Sequence, residues 1–178
     1  NGLLPDTVLD YLCSRDDNRI GLILNVNEPD QYSTSEWKQV ERTLQALGNR
    51  IVLGFNLYRE DCDFNFILDL HKRFKTQQHV RFGMAQPILG MDNQFLPTEA
   101  FPLIADKLVK AACEWTPQGL YFAFDCGFPF CMFTLDQHAE LLRCGINFRN
   151  NCSPIVDIGT DLRVWRCFPL EHTPRRGI

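Results

Sequence analysis

The sequence predicts an α/β fold of repeated strand–helix units, forming a partial (β/α) barrel or an open parallel sheet, with a small cysteine-rich β-hairpin cap. Three observations lead there. Four short apolar runs rich in β-branched and aromatic residues recur: Ile20 to Leu24, Ile51 to Phe55, Val80 to Met84 and Leu120 to Phe124. Their starts lie 31, 29 and 40 residues apart, the length of a strand–helix unit. The segments between them carry helical spacing, and after Gly145 both patterns stop. Each apolar run is nearly continuous rather than alternating, the pattern of strands covered on both faces.

In chain order, a short helix over Thr7 to Leu12 precedes the first run. Trp37, Val40, Leu44 and Leu47 then fall on one helical stripe. Ser33 with Glu36 has capping-box spacing, Tyr32 with Trp37 has that of a hydrophobic staple, and Gly48 offers a left-handed stop. Phe66, Ile67, Leu70 and Phe74 mark the next helix, after Asp63. Phe101, Ile104, Leu108 and Ala112 mark a third, whose start is constrained by Pro102, because proline belongs in a first turn. Thr134 and Gln137 cap a fourth, with Leu135, Ala139 and Leu142 as its stripe and Gly145 at its end. Beyond it, Ile155 to Ile158 and Leu162 to Trp165 flank the turn Gly159-Thr160-Asp161 as a hairpin. Residues 1–125 are thus the strand–helix body, and 126–178 a cysteine-rich region holding a capped helix and the hairpin.

Composition narrows the function classes. A net charge of −4 and a pI near 5.5 argue against a nucleic-acid surface. No apolar run approaches the roughly 20 residues of a membrane helix. The chain opens on Asn1 without an initiator Met, which leaves a processed chain or a part of something longer as readings. Eight cysteines in 178 residues fall short of a disulfide scaffold, and five of them lie between Cys126 and Cys167. Such clustering late in an α/β chain points to metal binding in a reducing, cytoplasmic compartment.

Cys126 and Cys131 flank Gly127-Phe128-Pro129-Phe130 directly after the fourth strand; Cys152 precedes Pro154, and Cys167 precedes Pro169. Glycine and proline let a loop wrap closely around an ion, and four thiolates suit tetrahedral zinc or an iron–sulfur cluster. Cys144 or His172 is an alternate fourth ligand. Arg143, Arg149, Arg163 and Arg166 lie close enough in sequence to offset the resulting negative charge. Cys13, Cys113 and Cys144 sit in or beside helical stripes and read as small buried hydrophobes, as His71, His79 and His138 read as structural. In parallel α/β folds the chemistry lies beyond the C-terminal ends of the strands. Asn25, Asn27, Asn56, Tyr58, Gln86 and Asp125 collect there, each singly readable as loop-capping and turn chemistry and together as a shared polar mouth, and Gly54 and Gly83 allow close packing or a close ligand approach.

The run from Phe124 through Cys126, Cys131 and Thr134, followed by Cys152-Ser153-Pro154-Ile155-Val156-Asp157-Ile158-Gly159 and Asp161-Leu162-Arg163-Val164-Trp165-Arg166-Cys167-Phe168-Pro169, resembles the C-terminal part of radical S-adenosylmethionine proteins. Leu24-Asn25-Val26-Asn27, Gly54-Phe55-Asn56-Leu57-Tyr58 and Gly83-Met84-Ala85-Gln86-Pro87 look like later strands of that partial barrel. The resemblance implies an iron–sulfur oxidoreductase in which a cluster on C-x3-C-x2-C cleaves S-adenosylmethionine and an auxiliary cluster lies beyond the barrel. This sequence contains no C-x3-C-x2-C, so the radical-generating motif would belong to an N-terminal half that completes the protein. Leu162 stands where the auxiliary-cluster pattern has a glycine, and no further C-x2-C series follows, so one auxiliary centre at most is implied.

Three functions follow as expectations. The first is the auxiliary iron–sulfur portion of a radical enzyme, ligated by Cys126, Cys131, Cys152 and Cys167 and not active as this chain alone. The second is an α/β binding module with a structural four-cysteine zinc site. The third is a small-molecule enzyme using the polar strand ends. A truncated barrel would leave a raw sheet edge, open to a second copy of the chain.

Overall fold

The computed structural model describes residues 2–15, 21–88, 90–125, 128–148, 157–158 and 162–165. Five helices and six strands are found among them. They run α1 (Asp6–Ser14), β1 (Leu22–Asn25), α2 (Thr34–Leu47), β2 (Ile51–Leu57), α3 (Phe66–Phe74), β3 (His79–Met84), α4 (Phe101–Trp115), β4 (Tyr121–Phe124), α5 (Leu135–Arg143), β5 (Asp157–Ile158) and β6 (Val164–Trp165). Strands β1 to β4 form one parallel sheet in the order β1-β2-β3-β4. Strands β5 and β6 pair antiparallel, Asp157 with Trp165 and Ile158 with Val164; the turn expected between them and most of the expected cysteine-rich cap lie outside the described residues.

The helix starts are local chemistry. The Ser33 hydroxyl accepts from the Glu36 N–H while Glu36 accepts from the Ser33 N–H, and the Tyr32 and Trp37 rings lie 5.5 Å apart. Thr134 and Gln137 repeat the reciprocal cap at α5. Pro102 falls in the first turn of α4, after a single 3-10 turn over Thr98–Ala100, so proline's missing N–H falls where no helical bond is due.

Two helix details correct the sequence expectations. Gly48 does not stop α2 in a left-handed conformation: its φ is −49°, and the chain continues into a 3-10 turn. Glycine is required there because a Cβ would overlap the Phe74 carbonyl oxygen, where α3 ends. In α5 the stripe Leu135, Ala139, Leu142 faces outward, Leu135 being 88% exposed; Leu141 is the residue that α5 buries. Gly145 does take the left-handed conformation, at φ 76°.

Among the described residues the sheet is covered on one face only, against the expectation of two. Leu24, Leu53, Phe55, Leu57, Val80, Phe82, Phe122 and Phe124 alternate onto the buried face. There they join Val40, Leu44 and Leu47 of α2, Ile67, Leu70 and Phe74 of α3, and Ile104, Leu108 and Trp115 of α4 in one core. Aromatic rings fill its centre: Phe82 lies 5.1 Å from Phe64, 5.1 Å from Phe122 and 6.1 Å from Trp115. The intervening residues Ile23, Asn25, Asn56, His79 and Ala123 are exposed. Val52, Gly54, Gly83 and Ala123 lengthen the apolar runs without being covered by a described helix, which is why composition suggested two covered faces.

Candidate functional site

The bare face is polar and in register. Pairing aligns Asn25 with Gly54, Gly54 with Arg81, and Arg81 with Ala123, one row across four strands. The next row toward the C-terminal ends holds Asn56 beside Gly83, and Asp125 extends β4 by donating its N–H to the Phe82 carbonyl at 2.8 Å. Both strand glycines serve these asparagines. A Cβ at Gly54 would overlap Asn25 Oδ1, and one at Gly83 would overlap Asn56 Oδ1. Each amide therefore lies flat over its neighbouring strand. Arg81 ion-pairs with Asp125 across β3 and β4, each about one-third exposed. A depression of 560 Å³ opens around this pair, lined also by His79, Tyr121, Ala123 and Asn147.

A second cleft, of 660 Å³, lies beyond the C-terminal ends of β1 and β2, between Gln31, Tyr58, Arg59 and the segment Asn93, Gln94, Phe95. Its floor is organised by Glu28, which is 5% exposed. Glu28 accepts from Gln31 Nε2 at 3.1 Å, Tyr58 Oη at 3.1 Å and Arg59 Nη2 at 3.0 Å. A buried carboxylate with three donors is satisfied, so it acts here as the tie between the first two strand–helix units. Burial, then the Glu28 charge, holds the Tyr58 hydroxyl above its ordinary range, which leaves it a neutral donor. Asn93 shapes the other wall, accepting from the Ile88 N–H at 2.8 Å and donating to the Gln86 carbonyl at 2.9 Å.

The predicted mouth is therefore divided. Asn25, Asn56 and Asp125 share the bare face. Gln86 serves the wall of the cleft through its backbone, and the exposed Asn27 donates its N–H to Tyr32 Oη at 3.0 Å. Glu28, Arg59 and Arg81 were not among the expected site residues. Their signal was position, since Glu28 and Arg59 each follow a strand end by a few residues.

Of the predicted thiol tetrad, Cys131 is an exposed free cysteine in the 3-10 turn Phe130–Met132. Cys126, Cys152 and Cys167, with His172, lie outside the described residues. The other thiols depart from expectation: Cys13 and Cys113 are exposed and Cys144 is half-buried, whereas Cys62 is the fully buried one. Cys113 and Cys144 are not isolated hydrophobes. Their sulfurs lie 3.6 Å apart, and Cys113 Sγ lies 3.4 Å from Glu140 Oε1. His71 and His138 are structural as expected, His71 Nδ1 lying 3.1 Å from Thr76 Oγ1 and His138 Nδ1 2.9 Å from the Thr134 carbonyl.

The fold and the bare face together define a one-sided parallel α/β sheet with a polar, in-register wall. No helix among the described residues is long and apolar enough to cross a membrane. No family model, no curated protein and no solved structure matches the chain.

Proposed function

We propose that this chain is the later-strand arc of a radical S-adenosylmethionine partial barrel, its bare face serving as the lumen wall toward substrate. In this reading Cys126, Cys131, Cys152 and Cys167 hold one auxiliary iron–sulfur cluster at the C-terminal rim. The observation that carries the reading is the strand order β1-β2-β3-β4 with helices on a single face. Doubly wound sheets reverse their order at a switch point and cover both faces, whereas barrels wind one way and turn the helix-free face inward. Polar residues on that face, and the 660 Å³ cleft beyond the C-terminal ends of β1 and β2, agree with a lumen.

The donor set also fits a cluster. Cys131 is an exposed thiol seven residues beyond the end of β4, and all four donors are soft sulfur ligands rather than the oxygens a hard ion would select. Leu162 adds support at the backbone level: its φ of 63° is left-handed, the conformation that favours the glycine found there in the family pattern. Such a cluster supplies electron transfer or a coordination site for substrate. This sequence contains no C-x3-C-x2-C. We therefore assign cleavage of S-adenosylmethionine to a complementary half, on the same polypeptide or another, that pairs with the β1 edge. That edge would otherwise be open to a second copy of the chain. A reducing, cytoplasmic setting follows from the same thiol chemistry.

Anaerobic reconstitution with ferrous iron and sulfide tests the reading. A brown protein with acid-labile sulfide that Cys152→Ser bleaches is the expected result. One equivalent of zinc at the tetrad without labile sulfide would replace it with a structural zinc site in a binding module. A tetrad that takes up neither overturns both.

A further inference from the structure

We infer that Cys113, Glu140 and Cys144 form a zinc site of their own, independent of the tetrad, that clamps α4 to the end of α5. The three ligand atoms all lie within 4.8 Å of one another. A tetrahedral zinc with Zn–S near 2.3 Å places two thiolates about 3.8 Å apart and a thiolate about 3.6 Å from a carboxylate oxygen. The observed separations are 3.6 Å for the sulfurs and 3.4 Å for Cys113 Sγ to Glu140 Oε1. Three corners of the tetrahedron are thus assembled before any ion arrives. Cys113 is exposed, so the fourth corner is open to a water molecule.

The surroundings hold this triangle in place. Glu140 and Cys144 are four residues apart at the end of α5, on one helical face. Cys113 comes from α4, and two hydrogen bonds fix the helices to each other on either side. Gln137 Nε2 donates to Asp106 Oδ1 at 2.7 Å, and Thr116 Oγ1 donates to the Cys144 carbonyl at 3.0 Å. Arg143 ion-pairs with Glu140 through Oε2, which leaves Oε1 turned to the thiols. This is the outer-sphere arrangement that orients a ligating carboxylate.

Although Cys113 as a residue is exposed, partial burial of its thiol, then the neighbouring Cys144 and Glu140, push it up to about 12. Arg143 first, then the Cys113 thiol, hold Glu140 below the usual carboxylate range. Zinc ligation takes both cysteines as thiolates, and the formal charge of about −1 that remains is met by Arg143.

The test uses the full chain, reduced and free of iron. Cobalt or zinc is titrated into the Cys126/Cys131/Cys152/Cys167→Ser variant, whose α4–α5 pair is untouched. One equivalent of cobalt with a charge-transfer band of two thiolates is expected, lost in Cys113→Ser and in Cys144→Ser. Glu140→Gln should weaken affinity at least about tenfold, the lower bound for disturbing even an outer-sphere partner. Alkylation of the unmutated chain supplies a readout that does not depend on folding of the quadruple variant. Zinc should protect Cys113 and Cys144 while leaving the exposed Cys13 reactive. Equal alkylation rates with and without zinc, or a stoichiometry indifferent to Cys113→Ser, overturn the inference.

Discussion

The two faces of the sheet are made by the same strands, one residue out of phase, and they obey different rules. On the covered face Phe55, Phe82, Phe122 and Trp115 interlock with rings 5.1–6.3 Å apart, and little there can change volume without a cavity or a clash. On the bare face Asn25, Asn56, Arg81 and Asp125 lie over glycines or pair with each other at partial exposure. Stability therefore resides on one side, and chemistry is free to reside on the other. A single strand such as β3 carries both assignments, Val80 and Phe82 inward, His79 and Arg81 outward.

The contrast is broken or confirmed first by truncation. Phe82→Ala should cost about 3–5 kcal/mol in chemical denaturation, whereas Ile23→Ala on the bare face, with Ile23 56% exposed, should cost under about 1 kcal/mol. Comparable losses would mean that both faces are covered after all.

The covered side should also show alkaline sensitivity. Cys62 is neutral when protonated, and burial favours that form, pushing the thiol from 9.0 up to about 11. The folded state thus keeps its proton to higher pH than the unfolded chain. Its contribution is whole below pH 9 and is lost as the pH rises toward about 11, on the order of 2 kcal/mol. Cys113 is displaced in the same direction, so the measurement is the difference between unmutated chain and Cys62→Ala across that window. The variant should have the flatter profile.

Smaller effects sharpen the bare face. The Arg81–Asp125 pair, with side chains 36% and 31% exposed, should show a coupling below about 1 kcal/mol in a double-mutant cycle that declines with salt. The smallest effect is expected at Gly54→Ala. The new methyl overlaps the end of the flexible Asn25 side chain and meets Ile23 Cγ2 at an ordinary 3.4 Å, and replacing a strand glycine gains about 0.5–1 kcal/mol, so stability should hold or rise slightly. The Asn25 amide resonances should shift in the same variant as the side chain swings away.

These particulars also mark what the sequence could convey. Ser33–Glu36 and Thr134–Gln137 were legible because a cap is settled within four residues. The four strands were legible as apolar runs, but not their phase, because Val52 and Ala123 are apolar on a face no described helix covers. Gly48 misled because glycine serves either a left-handed turn or a close backbone approach, and only the position of Phe74 decides which. The α5 stripe misled because Leu135 and Leu142 are helical neighbours that face outward while Leu141 carries the packing. Glu140 and Cys144 stood at helical spacing in plain view. Cys113 lies 27 residues before Glu140, and only the docking of α4 on α5 brings it within reach.

The row Asn25, Gly54, Arg81, Ala123 has a further consequence. Its four positions stand side by side at the interstrand spacing of about 4.8 Å, yet each is anchored in a different strand–helix unit. They behave like the teeth of a comb. One tooth can be exchanged for another shape or charge while its neighbours keep their backbone, so the wall can be re-cut for a new molecule without the frame being rebuilt.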